Sequence, residues 1–109
     1  MKLIITIVKD DDGNKLMRQL NKEGFFVTKI SSTGGFLKSG NMTLMIGTEE
    51  KNVDSVVKII TEHCERRKQV VIPPSTSDSI GGMYSSFPIE IDVGGATIFV
   101  LDVERFEKI

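Results

Sequence analysis

The chain begins with a short apolar run that ends abruptly in charge, and this run constrains the fold more than any other feature. Leu3 to Val8 is almost continuously apolar, and Lys9 and the aspartates at 10–12 follow directly. A run of this length is typical of a central β-strand that is buried on both faces. The rest of the structure must therefore cover both faces of this strand.

Two segments predict helices that can supply cover. Leu16, Met17 and Leu20 recur at helical spacing within residues 14–23, and Gly24 fits a C-terminal cap. The aspartates at 10–12 offer N-cap oxygens and negative charge to this helix. The second helix has a longer apolar stripe, formed by Val53, Val56, Val57, Ile60 and Cys64. The stripe predicts that Cys64 is a core residue rather than a nucleophile.

Five further segments predict strands, because they are rich in β-branched or aromatic residues or alternate apolar with charged ones. These segments are 25–32, 42–46, 69–72, 89–93 and 96–103. The order β-α-β-β-α-β predicts an α+β, ferredoxin-like fold with an additional C-terminal strand or hairpin. A chain of 109 residues fits one such domain.

Composition restricts the kinds of partner that the protein can bind and the cellular compartment in which it can lie. The net charge of −1 gives no strong attraction to nucleic acid, and no stretch is long enough to cross a bilayer. The single cysteine suits a reducing compartment. The N-terminal apolar run stops too soon for a signal peptide. We therefore expect a cytoplasmic protein that neither binds nucleic acid nor inserts into a membrane.

Side chains typical of catalytic and metal sites are sparse. His63, the only histidine, adjoins Cys64 on one helix, so the two side chains point roughly 100° apart. The sequence has no zinc-spaced ligand set, Walker lysine or nucleophile elbow. The acidic run 10–12 resembles a Mg²⁺ site, but the direct link between the second and third strands favours helix-start charge instead. We expect no catalytic residue, metal or cofactor.

The link between the second and third strands has the composition of a nucleotide site. Gly34 and Gly35 lack Cβ atoms, so backbone N–H groups can converge on phosphate oxygens. Phe36 and Leu37 follow in a solvent-facing connection, where apolar side chains require cover. Asn41 adds an amide that donates and accepts, as an adenine edge requires. The alternative is an ordinary hairpin turn whose Phe36 packs on its own sheet.

Two glycine motifs make the chain resemble the PII-like cyclic di-AMP receptors, called PstA or DarA in Gram-positive bacteria. The first motif is Thr33-Gly34-Gly35-Phe36-Leu37 with Gly40-Asn41, and the second is Val93-Gly94-Gly95-Ala96-Thr97-Ile98-Phe99-Val100-Leu101. The resemblance extends over essentially the whole chain.

The resemblance implies a non-enzymatic receptor. It would bind cyclic di-AMP between the subunits of a homotrimer and reorder its loops to regulate a downstream protein. Residues 73–88, which hold all three prolines, would be the B-loop, and 36–41 the shortened counterpart of the PII T-loop. Relatives carry arginine and glutamine where this chain has Phe26 and Lys108. The implied ligand-binding residues are Thr28, Gly34, Gly35, Phe36, Leu37, Asn41, Gly47 and Phe99.

Two other functions stay open on the same fold. A small phosphate-ester hydrolase of the acylphosphatase kind needs an arginine at the glycine-rich link, where this chain offers Lys38. A PII-type regulator that binds ATP needs more basic residues near that turn. The basic cluster 66–68 is interpreted instead as favourable charge in the last turn of the second helix.

Overall fold

The computed structural model describes residues 1–30, 40–72 and 87–109. The elements are β1 (Lys2–Lys9), α1 (Asp10–Lys22), β2 (Val27–Ile30), β3 (Asn41–Thr48), α2 (Val53–Cys64), β4 (Arg67–Val71), β5 (Ile89–Val93) and β6 (Ala96–Asp102). A 3₁₀ turn, Glu50–Asn52, leads into α2. Neither α1 nor α2 is long and apolar enough to cross a membrane.

The strands form one antiparallel four-stranded sheet, in the order β2-β3-β1-β6, and a separate two-stranded ribbon of β4 and β5. This architecture confirms the α+β, ferredoxin-like class. The strand that completes the sheet beside β1 is β6, however, and not the segment 69–72 that ended the predicted β-α-β-β-α-β order. A physical reason is that β4 opens with Arg67-Lys68-Gln69, and such side chains do not suit a place beside a buried central strand.

The hydrophobic core lies between the sheet and the two helices. Ile4 and Val8 of β1 point into it, and buried residues of α1, β3 and α2 meet them there. The fully or almost fully buried hydrophobic residues are Ile4, Val8, Leu16, Leu20, Met42, Leu44, Ile46, Val56, Ile59, Ile60 and Cys64. The prediction that Cys64 is a core residue is confirmed.

Helix α1 ends as predicted but begins earlier. Gly24 has a φ of +90°, and its N–H donates to the Asn21 carbonyl at 3.1 Å. The Phe25 N–H donates to the Leu20 carbonyl at 2.9 Å. This pair of hydrogen bonds is a Schellman cap, for which glycine is favoured. At the other end the helix already begins at Asp10, so the three aspartates form its first turn and none caps it.

The second face of β1 has no cover among the described residues. Strand side chains alternate between faces, so Leu3, Ile5 and Ile7 point away from the helices. Cross-strand neighbours in an antiparallel sheet share a face. The register therefore defines an open face, which comprises Leu3, Ile5, Ile7, Lys9, Thr28, Ile30, Asn41, Thr43, Met45, Gly47, Thr97, Phe99 and Leu101. The sequence predicted burial for both sides of β1, but the described part of the chain covers only one.

Candidate functional site

Every described residue of the predicted ligand set lies on the open face. Gly47 is opposite Leu3, and Phe99 is opposite Ile5. Thr28, on the edge strand β2, is paired with Met45 of β3, and Asn41 is at the start of β3. The other four predicted residues, Gly34, Gly35, Phe36 and Leu37, lie outside the described residues, as does most of the predicted B-loop.

The open face brings these residues to one side of the sheet but not to one pocket. Thr28 and Phe99 lie at opposite edges of a row that also contains Met45 and Ile5. Three strand spacings separate them, which amounts to roughly 14 Å. Asn41 precedes Gly47 by six strand residues, or roughly 20 Å. No small pocket within one chain can be lined by all of them.

Gly47 is a strand glycine that its described surroundings do not require. Among the residues that the structure describes, a Cβ placed there would meet only the Met1 sulfur, at 4.0 Å. By contrast, a Cβ at Gly13 would come within 2.2 Å of the Met42 sulfur. Glycine weakens a strand interior, and it often marks a place where a ligand or another backbone approaches closely. Packing among the described residues therefore does not account for a glycine at position 47.

A cleft lies at the Asn41 end of the open face. Its volume is about 470 Å³, and its lining includes Ile7, Lys9, Asn41, Gly94, Gly95 and Thr97. Residues of both glycine motifs therefore meet in one place, although about fifty positions separate them in sequence. Gly94 and Gly95 have φ values of +79° and +93°, which L-residues rarely adopt. Of the second motif, the resemblance implied only Phe99 as a ligand-binding residue, and the contribution of Gly94 and Gly95 to the cleft emerges from the structure.

The basic cluster 66–68 is not part of a helix, so its interpretation as helix-end charge is wrong. Helix α2 already ends at Cys64, and Arg67 begins β4. Arg66 lines the cleft, and its guanidinium donates to Asp92 at 3.0 Å. Arg67 turns the other way and donates to both carboxylate oxygens of Asp12, at 2.9 and 3.3 Å. These hydrogen bonds raise the pKa of Arg67 above its ordinary value.

The Asp12–Arg67 ion pair gives one aspartate of the acidic run a structural role. The Asp12 side chain is only 7% exposed, and its two oxygens accept the Arg67 hydrogen bonds. A buried carboxylate needs such a partner. Among the described residues no three metal-binding side chains converge. All three aspartates of the run lie in the first turn of α1, and Asp12 is the buried partner of Arg67.

Phe26 and Lys108, the two positions at which the resemblance implies other residues, are both exposed. Phe26 immediately precedes β2 and is 88% exposed, two residues before Thr28. Lys108 lies in the tail that follows β6. An aromatic side chain so exposed beside Thr28 adds to the apolar surface around the predicted site.

Together these features define a ferredoxin-like protein with an open apolar sheet face and a glycine-lined cleft at one end of it. The sequence model of the cyclic-di-AMP receptor family matches residues 1–109, and this chain belongs to that family. The family resemblance predicted from the glycine motifs is thereby confirmed.

A solved structure is also similar over nearly the whole chain. It is described as the crystal structure of a functionally unknown protein from Pediococcus pentosaceus ATCC 25745. The two chains are 42% identical, the match covers 99% of this chain and 96% of that one, and the TM-score is 0.80. This likeness supports the fold and carries no functional assignment.

Proposed function

We propose that this protein is a non-enzymatic receptor that binds cyclic di-AMP between the subunits of a homotrimer. Membership of the cyclic-di-AMP receptor family supports the ligand. The observation that carries the rest is the open face, on which Thr28, Gly47 and Phe99 all lie without cover from the described chain.

A neighbouring copy accounts for two features of the single chain. These are the uncovered second face of β1 and the separation of Thr28 from Phe99. It covers the second face of β1, whose sequence is that of a strand buried on both sides. It also brings its own β6 edge to the β2 edge of the first copy, so Phe99 of one copy approaches Thr28 of the next. The two edges differ, so such contacts repeat head to tail, and they close into a ring when the rotation between copies returns to the first copy. Three copies make the homotrimer.

The chemistry of the open face and cleft suits a cyclic dinucleotide. Cyclic di-AMP has two phosphates, which the Gly94–Gly95 turn can approach closely and Lys9 can neutralise. It has two adenines, for which the exposed Phe99 ring offers a stacking surface. Asn41 offers an amide to a base edge. The absence of a side chain at Gly47 leaves room for the ligand against β3.

The receptor acts through its loops rather than through chemistry. Bound nucleotide favours an ordered arrangement of the segments that flank the site, including the predicted B-loop, and this population shift alters the surface seen by a downstream protein. The role needs no cofactor or metal. It places the protein in the cytoplasm, together with its ligand.

Calorimetric titration with cyclic di-AMP, cyclic di-GMP and ATP tests this function. The wild type should bind cyclic di-AMP in preference to the other two. Gly47→Val should fold normally, because the described residues leave room for a side chain there, but should lose at least about tenfold in affinity. Lys29→Ala, next to Thr28 on the opposite face, is the matched control and should bind like the wild type. Indifference of the wild type to all three nucleotides would overturn the proposal.

A phosphate-ester hydrolase is the second candidate, because the cleft does contain an arginine. Arg66 lines it together with Asn41, although the guanidinium is engaged by Asp92 at 3.0 Å. Incubation of the protein with acetyl phosphate separates the two functions. Hydrolysis that Arg66→Lys abolishes would favour the enzyme, and release at the uncatalysed rate favours the receptor.

A further inference from the structure

The first turn of α1 contacts the base of both segments that flank the candidate site. The backbone N–H of Asp10 donates to the Gly40 carbonyl at 2.8 Å, directly before β3 and Asn41. Two residues later, Asp12 holds Arg67 at the start of β4. One turn of helix thus connects the Asn41 end of the open face to the root of the β4–β5 ribbon.

The root of the ribbon is held on both of its strands. Arg67 Nη1 also donates to the Glu65 carbonyl, at 3.1 Å. Gly94 lies against the same groups, since a Cβ there would be 2.5 Å from the Glu65 oxygen and 2.6 Å from Arg67 Nη1. The N–H of Gly95 donates to the Cys64 carbonyl at 2.5 Å. These contacts join α1, the end of α2 and the β5–β6 turn.

Beyond its root, the ribbon has little support from the described chain. Val70 and Ile72 are 65% and 69% exposed, and Ile89 and Ile91 are also exposed. A two-stranded ribbon is at best marginally stable alone. A cavity of about 280 Å³ beside the Asp12–Arg67 pair leaves the root room to move. The direction in which the ribbon extends from the four-stranded sheet and its helices therefore depends on the contacts at its root.

We propose that the Asp12–Arg67 ion pair is a joint that sets the position of the β4–β5 ribbon according to the occupancy of the Asn41 end of the site. The proposal rests on the proposed function for its ligand. Nucleotide bound near Asn41 holds Gly40, Gly40 holds the first turn of α1 through the Asp10 N–H, and that turn holds Asp12 in line with Arg67. The bound state keeps the joint closed, and the free state opens it more often. Asp12 is a positioning residue in this scheme and does not touch the ligand.

Hydrogen exchange on the full-length protein tests the joint. The readout is the exchange rate of amides in β4 and β5, with and without cyclic di-AMP. In the wild type the nucleotide should slow this exchange. In Asp12→Asn the free protein should exchange roughly tenfold faster in the ribbon, and the nucleotide should no longer slow it. Binding measured by calorimetry should stay within about threefold of the wild type.

Asp11→Asn is the matched control, because it removes the same charge from the same helical turn at an exposed position. It should behave like the wild type in every arm. Arg67→Lys keeps the charge but loses the two-pronged geometry, and it replaces Asp12→Asn if that variant does not fold. If the amides of β4 and β5 exchange in Asp12→Asn, or in Arg67→Lys where that variant replaces it, at the same rates as in the wild type, the joint is overturned.

The outcomes separate the joint from the proposed function. A wild type that does not bind cyclic di-AMP overturns the function, yet the free proteins still test the joint. In that case faster ribbon exchange in Asp12→Asn than in Asp11→Asn supports the ion pair as the contact that holds the ribbon root, and equal exchange overturns the joint. A variant that binds normally but loses the ribbon response supports both.

Discussion

Ile5 of β1 and Phe99 of β6 lie directly opposite each other on the sheet face that the helices leave open. Phe99 is 44% exposed and its neighbour Val100 is 47% exposed, but their side chains point to opposite faces of the sheet. Substitutions at these two positions therefore test assembly, because the two side chains are similarly exposed and adjacent in β6 but lie on opposite faces of the sheet.

We expect Phe99→Asp to prevent assembly, because a carboxylate on the open face would be buried without a partner between copies. Val100→Asp carries the same charge on the helix side and should leave the oligomer intact. Light scattering at micromolar concentration measures both, with the wild type expected as a trimer. A monomeric wild type, or equal dissociation of both variants, would contradict the shared face.

Gly94 should be the more sensitive of the two consecutive glycines in the β5–β6 turn. Both have positive φ, so alanine costs about 1 kcal/mol at either position from backbone strain. Only at Gly94 would the new Cβ also collide, with the Glu65 carbonyl and Arg67, whereas no described residue lies within 4 Å at Gly95. We expect Gly94→Ala to lower the free energy of unfolding by about 3 kcal/mol. Urea unfolding of the two variants measures the difference, and equal losses would disprove the close packing.

Thr6 contains the one buried side-chain polar atom in the described residues that has no hydrogen-bond partner. Its hydroxyl lies in the core, on the helix-covered face of β1, between Leu44 and Ile98 on the neighbouring strands. Removing an unsatisfied buried hydroxyl at constant shape should stabilise a protein. Thr6→Val should therefore raise the free energy of unfolding by about 1 kcal/mol. A loss of stability in urea titration would mean that the hydroxyl has a partner.

Cys64 should make the protein sensitive to alkaline pH. Burial, followed by the charge of Asp12, raises the pKa of the Cys64 thiol from 9.0 to about 11, against the opposing effect of Arg67. The folded state therefore keeps the proton that the unfolded state releases. Stability is fully present below pH 9 and falls as pH rises towards 11, by at most about 1.4 kcal/mol per pH unit.

The comparison with Cys64→Ala isolates this contribution. The variant is less stable at pH 7, because it leaves a small cavity. Its deficit should narrow between pH 9 and pH 11, since it has no thiol to ionise. Urea midpoints at pH 7, 9 and 10.5 measure the difference, and a deficit that does not change with pH would contradict the raised pKa.

Much of the fold follows from the sequence because local patterns carry it. The apolar stripe on α2 and the glycine after α1 were sufficient to place both helices, since an amphipathic helix and its cap are formed by residues close in sequence. The alternation in 89–93 likewise gave β5 with its observed bounds. The family followed from two glycine motifs, and the match over residues 1–109 confirms it.

Only the tertiary structure decided which strand lies beside β1, which residues share a face and which partner Arg67 takes. Register assigns Gly47 and Phe99 to the open face, and it brings Asn41 and the Gly94–Gly95 turn to one cleft. The Asp12–Arg67 pair joins residues 55 positions apart. The physical reason is that strand pairing and buried ion pairs are contacts between distant segments, and their geometry is set by the packing of the whole chain rather than by local sequence.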